Sequence, residues 1–305
     1  MSEQAQPEIM PIDGGSDDKL AVNWWNELKS ITVLLIAVLT FHSFVAKPFY
    51  IPSESMMPVL LKGDRLVVSK FPYGWSYVSP TIPNPAAIFR SLVLRMPDQN
   101  WGETLPFIKG RIFGRVPERG DIVIVTPRHS NEDYIKRVIG LPGDVIEVRS
   151  GEVILNGTAL PQRSIAPLLV PVDVNAPCPS DQFPGAMTIM QDGTRACALP
   201  VREEYLPNGR HYTIIDVGPS PLDWYGPVRI PQGELFLMGD NRDNSADSRA
   251  SLAQRGLGGP VPIESIGGRA EFITFSVDGT TTLNPVSWWK GFRSGRAGNS
   301  LHPAE

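Results

Sequence analysis

Three segments carry residue types that could do chemistry. In IPSESMMPVL, residues 51–60, Pro52 and Pro58 restrict the backbone around Ser53, Glu54 and Ser55, which suits a serine held in one geometry as a nucleophile. Taken alone, the segment more often belongs to an ordinary turn. In YIKRVIGLPGD, residues 134–144, side chains alternate along a strand, so Tyr134, Lys136 and Val138 share one face and Lys136 stands among apolar neighbours. A lysine titrating at about 10.4 is neutral in about one molecule in 2,500 at pH 7; burial that brings it to about 8 leaves roughly one in ten neutral and costs about 3.3 kcal/mol. Such an amine is a usable base, whereas at a strand edge its ammonium would reach water. The third segment, MGDNRDNSADSR, residues 238–249, is rich in turn formers. A cation held by its carboxylates is disfavoured because Arg242 and Arg249 would compete for Asp240, Asp243 and Asp247, so internal ion pairs are expected and no metal site.

The elements that must position these segments are mostly strands. Alternating or β-branched runs end at turn signals at 64–71, 120–127, 133–140, 144–157, 234–240 and 269–277, which predicts a mainly β, antiparallel body. Within 144–157, Ser150 and Gly151 separate two strands as in a hairpin. A catalytic β domain is expected over 49–157 and 231–284, with 72–118 as a membrane-proximal insertion and the Pro-rich stretch 158–230 as an inserted smaller, β-rich domain. Residues 1–20 lack apolar periodicity and read as a disordered tail, and 285–305 as a C-terminal tail with interfacial Trp and basic content.

Between the first tail and the body, residues 21–48 read as one transmembrane anchor. The densest apolar part, Ile31 to Val45, is shorter than the roughly 20 residues that span a bilayer, but Trp24 and Trp25 on one side and Phe49 and Tyr50 on the other supply interfacial flanks. A cleaved leader is the rival reading; no small-residue cleavage site follows. Lys19 and Lys29 before the apolar part and Lys47, Lys62 and Arg65 after it leave its orientation open.

Composition excludes some classes. With a formal net charge of -4 in 305 residues, the chain offers no basic surface for a nucleic acid. Cys178 and Cys197 are too few for a disulfide scaffold and lack zinc-ligand spacing; one bridge or two thiols remain equally open. Four histidines without a GxSxG disfavour a Ser-His-Asp triad, and the SxxK at Ser287–Lys290 lacks the strand and helix context such a motif needs.

PSESMMP, KRVIGLPGD and GDNRDNSADSR, in this order behind an apolar N-terminal segment, resemble the bacterial type I signal peptidase family. Gly63–Asp64 and RGDIVIV from Arg119 extend the likeness, whose motifs span residues 52–249. The resemblance implies a serine endopeptidase with a Ser/Lys dyad and no cofactor. Ser55 matches the nucleophile, Lys136 the general base, Ser53 an oxyanion donor and Ser245 a group orienting Lys136. Asp247 and Arg249 match a charged pair bracing the loop, and Arg137 and Asp144 are similar supports. The chain departs from the family where an aromatic-glycine pair commonly follows the last motif: here ASLAQRGLGGPVP stands instead. Implied substrates are signal peptides of preproteins emerging from the export machinery, cut after a small-x-small site. The implied setting is a bacterial inner membrane crossed once, with the catalytic domain on the periplasmic side; a monomer is expected. Ser55 lies ten residues past Val45, so at about 3.4 Å per residue it stays within roughly 34 Å of the bilayer edge. Met56 and Met57 are expected to line substrate pockets or reach lipid.

Overall fold

The computed structural model describes residues 23–80, 82–84, 89, 102–103, 109–130, 132–282 and 285–304. The expected tail 1–20 and nearly half of the insertion 72–118 lie outside them. The chain divides into two compact units between Val38 and Leu39.

The N-terminal helix, Trp24–Phe44, has 21 residues. At 1.5 Å per residue it is about 32 Å long, enough to cross a hydrocarbon core of about 30 Å, and its mean hydropathy of 1.5 suits that setting. Glu27 in the first turn complements the helix dipole. The helix ends before residues 46–48, the last of the expected anchor. Instead, Ala46–Tyr50 is already a strand, paired antiparallel with Asp64–Ser69. Pro48 is the reason this segment leaves the helix.

The body is mainly β. Its principal sheet has seven strands, in the order Ala46–Tyr50, Asp64–Ser69, Ile266–Ser276, Ile122–Val125, Tyr134–Gly140, Glu234–Met238 and Val261–Pro262, each antiparallel to its neighbours. Ile122–Val125, a run of four β-branched residues, is buried on both faces. Ile122 and Ile124 pack with Leu66, Val68 and Ile135, whereas Val123 and Val125 pack with Val138, Leu237 and Ile266. The hairpin Val145–Arg149 to Glu152–Leu155 turns at Ser150 and Gly151, both at positive φ, as a tight two-residue turn requires.

Residues 158–230 supply two three-stranded sheets and both outer strands of a four-stranded sheet, Trp224–Arg229 beside Val145–Arg149 and Thr158–Ala159 beside Glu152–Leu155. Cys178 and Cys197 are disulfide-bonded. Within 72–118, Ile82–Pro83 pairs with Gly102–Glu103.

The C-terminal segment differs from the expected tail. Leu301 is buried in the core beside Ile51 and Leu66, its amide donates to Glu271 O, and Ala304 bridges His211. Arg293 and Arg296 fix the approach by pairing with Asp173 and Asp64.

Candidate active site

Ser55 belongs to a loop closed at both ends. The Ile51 amide donates to Asp64 O, the Gly63 amide returns to Ile51 O, and Asp64 Oδ2 accepts the Leu61 amide at 2.8 Å. Gly63 lies at φ +98, and a Cβ there would fall 2.1 Å from Val277 O, so only glycine closes the loop. Alternate side chains nail it to two cores. Ile51, Met56 and Leu60 enter the core of the principal sheet, while Met57 and Leu61 pack with Val170, Phe183, Leu199 and Ile215 of the inserted stretch. Met56 and Met57 are therefore buried and hold the loop in place.

Lys136 stands on the Tyr134–Gly140 strand opposite Val123. It is 3% exposed, and its Nζ donates to Ser55 Oγ and to Ile135 O, both at 2.9 Å. Burial lowers its pKa from 10.5 to about 8; Arg249 pushes the same way, and Asp247 and Asp240 pull it partly back. Ser53 Oγ lies 3.4 Å from Ser55 Oγ. His211 stacks on Tyr205 and His302 pairs with Glu271, so neither serves Ser55.

The loop after Glu234–Met238 covers the pair from the other side. The Asn241 amide donates to Ser55 O at 3.1 Å, and Asn241 Nδ2 donates to Glu54 O. A Cβ on Gly239 would lie 2.4 Å from Ser55 O and 2.2 Å from Ser245 Oγ, so the main chain passes between them with no room for a side chain. Ser245 Oγ is buried there without a hydrogen-bond partner among the described residues. Asp247 accepts the Gly239 amide at 3.0 Å and is gripped by Arg249 through Nε and Nη2, at 3.0 and 2.8 Å. Burial alone would raise the Asp247 pKa; Arg249 and the backbone donors outweigh it and hold the carboxylate ionised.

Further ion pairs brace the strands behind Ser55 and Lys136. Arg137 Nε and Nη2 donate to both oxygens of Asp240 at 2.7 and 2.6 Å, with the guanidinium 4.1 Å above the Tyr212 ring. Asp144 pairs with Arg119 and accepts the Leu141 amide, fixing the turn after the lysine strand. Internal pairing is therefore present, though Arg242 finds a partner not anticipated from its own loop. It pairs with Glu204 of the inserted stretch, which also accepts the Tyr212 hydroxyl. All three are fully or almost fully buried. The only hint in the sequence is that a loop with three aspartates and two arginines needs internal partners.

Residues 24–275 match the family described as signal peptidase, peptidase S26. The chain belongs to this family. Signal peptidase I of Rickettsia typhi is 30% identical over 271 residues, covering 86% of this chain and 82% of the relative. That of Rickettsia akari is 31% identical over 274 residues, covering 87% and 81%. A solved signal peptidase I from Enterococcus faecalis shares 23% identity over 51% of this chain and 97% of its own, with a TM-score of 0.26, too low to add to the assignment. Membership in the S26 family makes the chain a peptidase, and its apolar N-terminal helix is compatible with membrane anchoring.

Proposed function

We propose that this signal peptidase is a single-pass enzyme of the bacterial inner membrane that cuts signal peptides from exported preproteins after a small-x-small site, using Ser55 and Lys136. The observation that carries the reading is the 2.9 Å contact between Ser55 Oγ and the buried Lys136 Nζ. With a pKa near 8, about one Lys136 in ten is neutral at pH 7. The neutral amine takes the Ser55 proton as Oγ bonds to the scissile carbonyl carbon. The Ser55 amide and the Ser53 hydroxyl supply hydrogen bonds to the oxyanion, where one donor is worth roughly 3–4 kcal/mol in other enzymes. The ammonium then returns its proton to the departing amine, leaving an acyl ester on Ser55. Lys136 next deprotonates a water that attacks the ester, and Ser55 recovers the proton as the signal peptide leaves. Asp247 and Arg249 keep the covering loop against the dyad.

Anchor and site are joined by a short stretch of chain, which fits a cleavage point just outside an embedded apolar segment. The Cys178–Cys197 disulfide suits an oxidising, periplasmic side. Cleavage of a preprotein whose signal ends in Ala-x-Ala tests the assignment. Ser55→Ala and Lys136→Ala are expected to fold and to lose turnover, with His129→Ala unchanged. Full activity in either dyad variant would refute it.

A further inference from the structure

Beside the covering loop, three carboxylates from separate parts of the chain converge. Asp216 follows the strand His211–Ile215, Asp223 ends the short turn Pro221–Asp223, and Asp243 sits in the covering loop itself. Each offers one oxygen, and the three oxygens lie within 4.8 Å of one another. The arginines expected to compete for such a cluster are engaged elsewhere, Arg242 with Glu204 and Arg249 with Asp247. Arg202 approaches Asp216 at 3.6 Å with 44% of its side chain in solvent, a weak counter-charge for three carboxylates.

A second observation points inward. Asp223 is only 7% exposed, yet its Oδ1 has no hydrogen-bond partner among the described residues, and Asp243 Oδ1 is likewise buried and unpartnered among them. Their other oxygens are occupied: Asp223 Oδ2 accepts the Ser220 amide at 2.8 Å, and Asp243 Oδ2 the Val217 amide at 2.7 Å. Asp223 Oδ1 and Asp216 Oδ2 both face Gly151, where a Cβ would lie 3.8 and 2.9 Å from them, so no side chain fills the space at that turn. Buried carboxylate oxygens are ordinarily satisfied, and two that converge on a third carboxylate want a shared positive partner.

We propose that Asp216, Asp223 and Asp243 form a Ca²⁺ site that fastens the loop covering the dyad. The donors are all hard oxygens from separate parts of the chain, and Ca²⁺ accepts such ligands at about 2.3–2.6 Å in flexible geometry, whereas Mg²⁺ demands a near-ideal octahedron at about 2.0–2.1 Å. Asp243 lies two residues before Ser245, and Asp216 follows Ile215, whose amide donates to Asp240 O and whose carbonyl accepts the Arg242 amide. The ion would thus tie the inserted stretch to the loop at the point where the two already meet.

The test needs no catalysis. Metal-stripped full-length protein in detergent micelles is titrated with CaCl2 by calorimetry, with melting followed in parallel and Mg²⁺ as competitor. Wild type is expected to bind one Ca²⁺ in the range of about 10⁻⁴–10⁻³ M, typical of extracellular calcium modules, and to melt higher as the site fills. Asp223→Asn and Asp243→Asn, similar in shape and checked for folding by their melts without metal, are expected to weaken binding at least about tenfold each, with Asp192→Asn unchanged. No Ca²⁺ uptake by wild type, uptake unaffected by both Asn variants, or Mg²⁺ binding as tight as Ca²⁺ would overturn the proposal. A melting temperature raised by the Asn variants, with no response to Ca²⁺ in wild type, would show that the carboxylates share a proton instead.

Discussion

Replacing Gly239 with alanine perturbs the proposed Ser55–Lys136 dyad through the main chain, without touching either side chain. The new Cβ would lie 2.4 Å from Ser55 O and 2.2 Å from Ser245 Oγ. Ordinary contacts of carbon with heavy atoms fall at about 3.5–4.0 Å, so the loop and the serine segment must separate by about 1 Å or more. That opens the Asn241 amide to Ser55 O bond, now 3.1 Å, and shifts Ser55 relative to Lys136. A displacement of about 1 Å at a reacting group can cost about 10²-fold in rate, and overpacking a buried site costs about 1–3 kcal/mol of stability. Steady-state cleavage of an Ala-x-Ala preprotein should therefore show kcat/KM down by about 10²-fold in Gly239→Ala, with a moderately lowered melting temperature. Adding Ser245→Gly removes one of the two collisions, so the double variant should recover stability without recovering rate. Wild-type kcat/KM in Gly239→Ala would refute the claim that close approach of this loop sets the position of Ser55.

Other outcomes follow from the buried charges. Lys136→Met should abolish turnover yet stabilise the fold by up to about 3 kcal/mol at pH 7 in denaturant titrations, because a lysine held near 8 instead of 10.5 opposes folding while it is protonated. The penalty is complete below pH 8 and fades as pH rises towards 10.5, so the gap between variant and wild type should close over that interval; a constant gap would contradict it. Glu204→Gln removes the charge that neutralises buried Arg242 and should cost about 3–5 kcal/mol by chemical denaturation, and a loss below about 1 kcal/mol would show the pair is not needed. Reducing Cys178–Cys197, which are 19 residues apart, should lower stability by about 2–4 kcal/mol, read as a drop in melting temperature with reductant; an unchanged melt would discount the bond.

Local pattern made the strands legible, and long-range pairing escaped it. The run 122–125 and the alternation around Lys136 follow from β-branching and period two, and Ser150–Gly151 marks its own turn. Period two tells which residues share a face but not what lies across from it. Lys136 meets Ser55 across 81 positions, and only the resemblance of three motifs brought the two together before the structure did. Glu204 finds Arg242 across 38 positions and Asp64 finds Arg296 across 232, pairings that no local rule encodes. The C-terminal segment escaped for a related reason. A Trp- and Arg-rich terminus reads as solvent-facing or interfacial until Asp64 and Asp173 are seen to wait for its arginines and the core for Leu301.

The central claim, a serine activated by a buried lysine, is tested most directly by the pH dependence of kcat/KM for wild-type cleavage of an Ala-x-Ala preprotein. With Lys136 near 8, the rate should rise about tenfold per pH unit below 7 and level off above about 9, with the break near 8. A break near 6.5, where a histidine titrates, or a rate independent of pH over that interval would contradict it.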